Sequence, residues 1–143
     1  SFRLERLFLC ELEELVDSGE LQPDNLGILE ELCEPLYISE EKAAKMLEEI
    51  VGKRTSGGML QAAADMRQGQ GDRACDEITR FLRFAALLDG TVAEQKQVSE
   101  RERNELFMLY SASLANKGGG DAADDKAKLE LLRQVMGMAP VEA

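Results

Sequence analysis

Apolar residues in this chain return at spacings of three and four, and no run alternates with period two for long enough to make a strand. Leu4, Leu7, Phe8, Leu12 and Leu15 mark one face of a first helix, which Asp17-Ser18-Gly19 ends. A second helix is expected from Pro23, a residue suited to a first turn, to Glu34, before Pro35 interrupts it. Leu26, Leu29, Leu32 and Cys33 line up along it. Ser39 is placed to cap a third helix, with Glu40 and Glu41 in its first turn and Ala43, Met46, Leu47 and Ile50 on its apolar side.

The pattern resumes after Gly57-Gly58 through Leu60, Ala63, Ala64 and Arg67, and breaks again near Gly69 and Gly71. A further helix over roughly 73–88 carries Ile78, Phe81, Leu82, Ala85 and Leu88. Ser99 and Glu102 form a capping box ahead of a helix with Leu106, Leu109, Tyr110 and Leu114. "KGGGDAADDK" reads as a flexible surface loop, about 117–124, before a last helix from Lys126 to Met136 that Gly137 closes. The predicted class is all-α, without a sheet.

Internal similarity points to helix-turn-helix repeats. Leu29, Glu30, Leu32 and Ala43 return as Leu129, Glu130, Leu132 and Ala143, with Ile38 matched by Met138. "LVDSGEL" at 15–21 resembles "LLDGTV" at 87–92. Two or three degenerate units, HEAT-like or solenoid-like, would each bury one face against a neighbour. Residues 1–143 then form one helical-repeat domain, and the chain, which begins at Ser1, is expected to be a piece of a longer one.

Most catalytic chemistries lack their residues here. The chain has no His, the commonest general acid/base and metal ligand. The stretch "VGKRTSGGMLQAAADMRQGQGD" at 51–72 imitates a phosphate loop, but Arg54 follows Gly52-Lys53 where Ser or Thr belongs, Leu47 stands for the upstream Gly, and the preceding segment is helical. Gly57-Gly58 is therefore expected to be a joint between packed helices. "DGTVAEQKQVSE" at 89–100 has the terminal Asp89 and Glu100 of a calcium loop, but Ala93 replaces a ligand and Glu94 the turn glycine. Paired carboxylates such as Glu13-Glu14 and Glu48-Glu49 belong to solvated helix faces. No catalytic residue, metal or cofactor is expected, and the chain is expected not to be an enzyme.

Cys10, Cys33 and Cys75 are too scattered for a disulfide framework and suggest a reducing compartment. Half-buried core thiols are expected, with a reversible regulatory disulfide as the alternative. The net charge is −11, and residues 1–52 hold four basic and fourteen acidic residues. Such a chain is a poor nucleic-acid binder and a natural partner for cationic segments. The most apolar run, Ile78 to Leu88, contains Arg80 and Arg83 and is too short to span a bilayer.

A family resemblance sharpens these readings. "AAKMLEEIVGKRTSGGMLQAAADMRQGQGD", "VSERERNELFMLYSAS" and "LELLRQVMGMAPVEA" resemble the C-terminal part of the large scaffold subunits of Tic, the translocon at the chloroplast inner envelope. Leu60-Gln61-Ala62, Arg67-Gln68, Val98-Ser99-Glu100 and Tyr110-Ser111 carry the match, and Met136-Gly137-Met138 does so approximately. Gly57-Gly58 and the 117–126 loop depart from the plant pattern, as in a divergent algal member. The resemblance implies a plastid scaffold whose corresponding part lies in the stroma, while its parent is anchored in the inner envelope membrane. Its implied partners are preprotein transit peptides, a Clp-family stromal chaperone and a co-chaperone-bearing Tic subunit. Transit peptides are Arg-rich and acid-poor, so Glu30, Glu31, Glu34, Glu40 and Glu41 are the candidate docking residues. Cys10, Cys33 and Cys75 are the candidate redox thiols. A second resemblance, to TerB-type helical domains that bind metal or a small ligand, rests on "LLDGTVAEQ".

Overall fold

The computed structural model describes residues 2–92, 95, 97–118 and 120–139. Among them every regular element is helical: α1 (Phe2–Ser18), α2 (Ile28–Cys33), α3 (Glu40–Thr55), α4 (Gly58–Arg67), α5 (Gly71–Ala85), α6 (Glu100–Asn116) and α7 (Ala122–Val135). Short 3-10 turns lie at Pro23–Asn25, Glu34–Leu36 and Ala86–Leu88. The protein is all-α.

Two apolar cores share one wall. The first gathers Phe8, Leu12 and Val16 of α1 with Leu21, Cys33, Ile38 and Ala43, Leu47, Ile50 and Val51 of α3. The second gathers Met59, Ala62 and Ala63 of α4 with Leu106 and Tyr110 of α6 and Leu132 and Val135 of α7. Helix α5 serves both: Cys75, Ile78, Phe81 and Leu82 face the second core, whereas Phe84 enters the first. A helix that is apolar on two sides must be covered on two sides.

Several boundaries differ from the sequence expectation. The second helix is cut in two, because Asn25 turns the chain before it. Its side chain accepts from the Gln22 amide at 2.7 Å and donates to the Glu20 carbonyl at 2.8 Å, which competes with continuous helix. The first-helix stripe is centred on Phe8, Leu12 and Val16, four residues apart, and leaves Leu7 half exposed. Helix α7 starts at Ala122, inside the segment read as a loop. Asp121 accepts from the Ala123 amide at 3.0 Å and caps it. The Ser39 and Ser99 caps form as expected, each accepting a backbone amide at 3.2 Å.

The proposed repeat has a local counterpart. Tyr37 and Gly137 both take a left-handed conformation and donate to the carbonyl three residues back, while Ile38 and Met138 donate to the carbonyl five residues back. Both are Schellman stops. Asp89 and Gly90 make the same pair of bonds after α5. The correspondence between 29–43 and 129–143 is thus a shared helix stop, and the residues matching the start of α3 fall beyond the described ones.

Arginines tie the helix ends together. Arg54 closes a bidentate pair with Asp17 at 2.7 and 2.8 Å, joining the C-terminal ends of α1 and α3. Arg83 donates to the Val16 carbonyl at 3.2 Å and Arg80 to the Arg54 carbonyl at 3.3 Å. Cations at helix C-termini also oppose the helix dipole. The Arg54 hydrogen bond holds the Asp17 carboxyl below its ordinary range against the opposing effect of desolvation, with lesser help from the charges of Arg54, Arg83 and Arg80. A depressed carboxyl contributes stability above its unfolded-state pKa, about 4, and loses it as pH falls through the lower folded value. Asp17→Asn should therefore flatten the acid limb of the stability–pH curve. Because Asp17 is 46% exposed, a double-mutant cycle with Arg54→Met should give a coupling of only about 0.5–1 kcal/mol in urea unfolding. Zero coupling at neutral pH would show the pair to be incidental.

Candidate functional site

Two adjacent concavities lie where α2, its following turn and α3 meet. The first holds about 190 Å³ and is floored by Leu26, Leu29, Ala43, Ala44 and Leu47, with Glu30, Glu40 and Cys33 at its edge. The second, about 260 Å³, is lined by Glu30, Glu34 and Glu40 with Cys33 and Ile38. Together they form an apolar groove with an acidic rim.

Local chemistry explains both parts. Helices α2 and α3 each turn a face inward, and the small side chains of Ala43 and Ala44 line the space beside Leu26 and Leu29. Glu30 stands in the first turn of α2, and Glu40 in the first turn of α3 beyond the Ser39 cap, both favourable against the helix dipole. The Ile38 backbone is pinned to the Cys33 carbonyl, which holds the end of α2 beside the start of α3.

The five candidate glutamates thus divide. Glu30, Glu34 and Glu40 converge on the groove, while Glu31 and Glu41 are exposed and line neither concavity. The apolar floor had been assigned to helix faces only. Its signal was the Ala43-Ala44 pair opposite leucines, which period alone cannot pair across helices. Tyr37 was also missed: it lies between Leu36 and the groove residue Ile38, is 90% exposed, and holds a φ of 56°. A tyrosine in that conformation is strained by about 1–2 kcal/mol.

The thiols do not form a set. All three are free. Cys33 lies in the first core and Cys75 in the second. Cys10 departs from the expected half-burial: it is exposed, because it sits two residues from Phe8 and so on the far side of α1. Burial pushes the Cys33 thiol up, and the charges of Glu40 and Glu30 push it the same way. It is held as the protonated, weakly nucleophilic form.

Of the calcium-like segment at 89–100, residues 93, 94 and 96 lie outside the described ones. Among the described residues no three acidic or cysteine side chains gather as a metal site, and no helix is long and apolar enough to cross a membrane. No protein-family model, curated protein or solved structure matches the chain.

Proposed function

We propose that this chain is a non-enzymatic docking scaffold that receives basic, acid-poor amphipathic segments in the groove between α2 and α3. The observation that carries the reading is the pairing of an apolar floor with three carboxylates, Glu30, Glu34 and Glu40, on its rim. An amphipathic helix lays its apolar face into such a groove and its arginines along the edge. Rim charges of this kind set approach and partner choice more than final affinity.

Transit peptides have this composition, which suits the Tic-like reading of the sequence: a scaffold on the stromal side of the plastid inner envelope that meets incoming preproteins. Recruitment of a Clp-type chaperone and of a co-chaperone-bearing translocon subunit belongs to the same proposal.

The test uses a fluorescein-labelled, Arg-rich, acid-free amphipathic peptide titrated with the full chain at two salt concentrations. Saturable binding that weakens with salt is expected. The triple charge reversal Glu30→Lys, Glu34→Lys and Glu40→Lys should weaken it by about tenfold or more without changing the far-ultraviolet circular dichroism, since all three side chains are exposed. Unchanged affinity in the triple variant, or no binding by the unaltered chain, would overturn the reading.

A further inference from the structure

A cleft of about 410 Å³ opens among α5, α6, α7 and the Gln22-Pro23 turn, and none of the acidic-groove residues lines it. Its two walls have the same register. Along α5 and the turn after it, Thr79, Leu82, Arg83 and Ala86 face the cleft; along α7, Asp124, Ala127, Lys128 and Leu131 do so with identical spacing. Ala86 and Ala127, one on each wall, line the space with side chains that end at Cβ. Its size falls within the range of about 300–1,000 Å³ usual for small-molecule sites.

Polar groups gather at one place in this apolar cleft. Tyr110 of α6 lines it although the residue is only 2% exposed. The Tyr110 hydroxyl is 3.4 Å from Thr79 Oγ1, which also donates to the Cys75 carbonyl at 3.0 Å. With the Thr79 proton given to Cys75, the phenol donates to Thr79, and at 3.4 Å against the usual distance of about 2.7–2.8 Å that long bond is one a closer acceptor would displace. Lys128 donates to Asp124 at 3.2 Å and has two further ammonium protons to give. Arg83 is engaged with the Val16 carbonyl and lies over the Phe84 ring. The lining thus holds Arg83 and Lys128 against Asp124, with Asp125 also acting on Lys128.

We propose that this cleft binds a single-chain carboxylate amphiphile, with its hydrocarbon between Leu82, Ala86, Ala127 and Leu131 and its carboxylate on the Lys128 ammonium and Tyr110 hydroxyl. Two donors, the Lys128 ammonium and the Tyr110 hydroxyl, suit the two oxygens of one carboxylate, whereas a phosphate dianion would bring a second negative charge beside Asp124 and Asp125. The hydrogen bond that Lys128 donates to Asp124 chiefly keeps the ammonium in its charged form, against burial, with the charge of Asp124 and smaller effects of Tyr110 and Asp125 acting in the same direction. The site is built from other elements than the peptide groove, so the two readings stand or fall separately.

Sodium decanoate is the probe, added to the full chain below its micelle concentration, with decanol and decyltrimethylammonium as head-group controls. A saturable rise in melting temperature is expected with decanoate, since a ligand of the folded state stabilises it. Ala127 is exposed, so Ala127→Leu should fold normally while filling the cleft and abolishing the shift. Lys128→Gln and Tyr110→Phe should each weaken decanoate by about tenfold, the loss of one charge-assisted or buried hydrogen bond. Should Ala127→Leu misfold, Lys128→Gln carries the test, because its side chain is 40% exposed. The proposal is overturned if decanoate gives no saturable shift, if decanol binds as tightly, or if the Lys128 and Ala127 variants respond like the unaltered protein.

Discussion

Truncating Phe84 to alanine is expected to lower the unfolding free energy by about 3–5 kcal/mol, a large part of the total of about 5–15 kcal/mol that domains possess. Phe84 is 1% exposed and is the aromatic that α5 contributes to the first core. Its ring also lies under the guanidinium groups of Arg83, at 4.2 Å, and Arg80, at 5.2 Å. Those two arginines bind the carbonyls of Val16 and Arg54, so removal of the ring leaves a cavity and loosens the contacts that dock α5 on α1 and α3. Urea unfolding followed by circular dichroism measures the effect. The companion variant Phe81→Ala empties the second core by a similar volume. A single cooperative transition, shifted in both variants, is the outcome if α5 couples the two cores. A loss below about 1 kcal/mol for Phe84→Ala would mean that α5 is not their shared wall.

Gly58→Val should cost about 2–3 kcal/mol, because the first atom of any side chain there has nowhere to go. A Cβ built on Gly58 lies 2.9 Å from Cδ2 of the buried Phe81 ring. The ring cannot retreat without disturbing the core around it. Valine adds a second branch to that collision, and neither helix propensity nor solvent relieves it. Gly57 has a different need. Its φ of 71° is left-handed and open space surrounds it, so Gly57→Ala should cost only about 1 kcal/mol, from backbone strain. If the larger penalty fell on Gly57 instead, the close packing of α4 on α5 would be wrong. The two glycines are therefore a joint with two functions: one turns the chain, and the other lets α4 lie close against α5.

The joint was legible as a weak point in a helical pattern, but its purpose was not. The sequence offered Gly57-Gly58 and no means of knowing that Phe81, more than twenty residues on, would pass beside the second glycine. The same holds for Arg80 and Arg83, which read as charges interrupting an apolar run and prove to bind carbonyls at the ends of α1 and α3. The long second helix failed because Asn25 satisfies backbone groups on its N-terminal side, a competition that apolar spacing does not register. Loop composition over 117–126 hides a helix start, because Asp121 acts as the cap of α7. Among the acidic residues, charge alone could not separate Glu30, Glu34 and Glu40, which share a groove, from Glu31 and Glu41, which do not.

The sequence by itself determined the all-α class, the serine caps and most helix stops, because those are set within a few residues by period, side-chain hydrogen bonds and left-handed glycines. The tertiary structure decided what depends on distant residues meeting: the division into two cores about α5, the arginine-bound helix ends, the acidic groove, and the cleft between α5 and α7. Each arises from the shape left where two faces pack, and a short side chain such as Ala44 or Ala127 becomes a space only when its partner helix is in place.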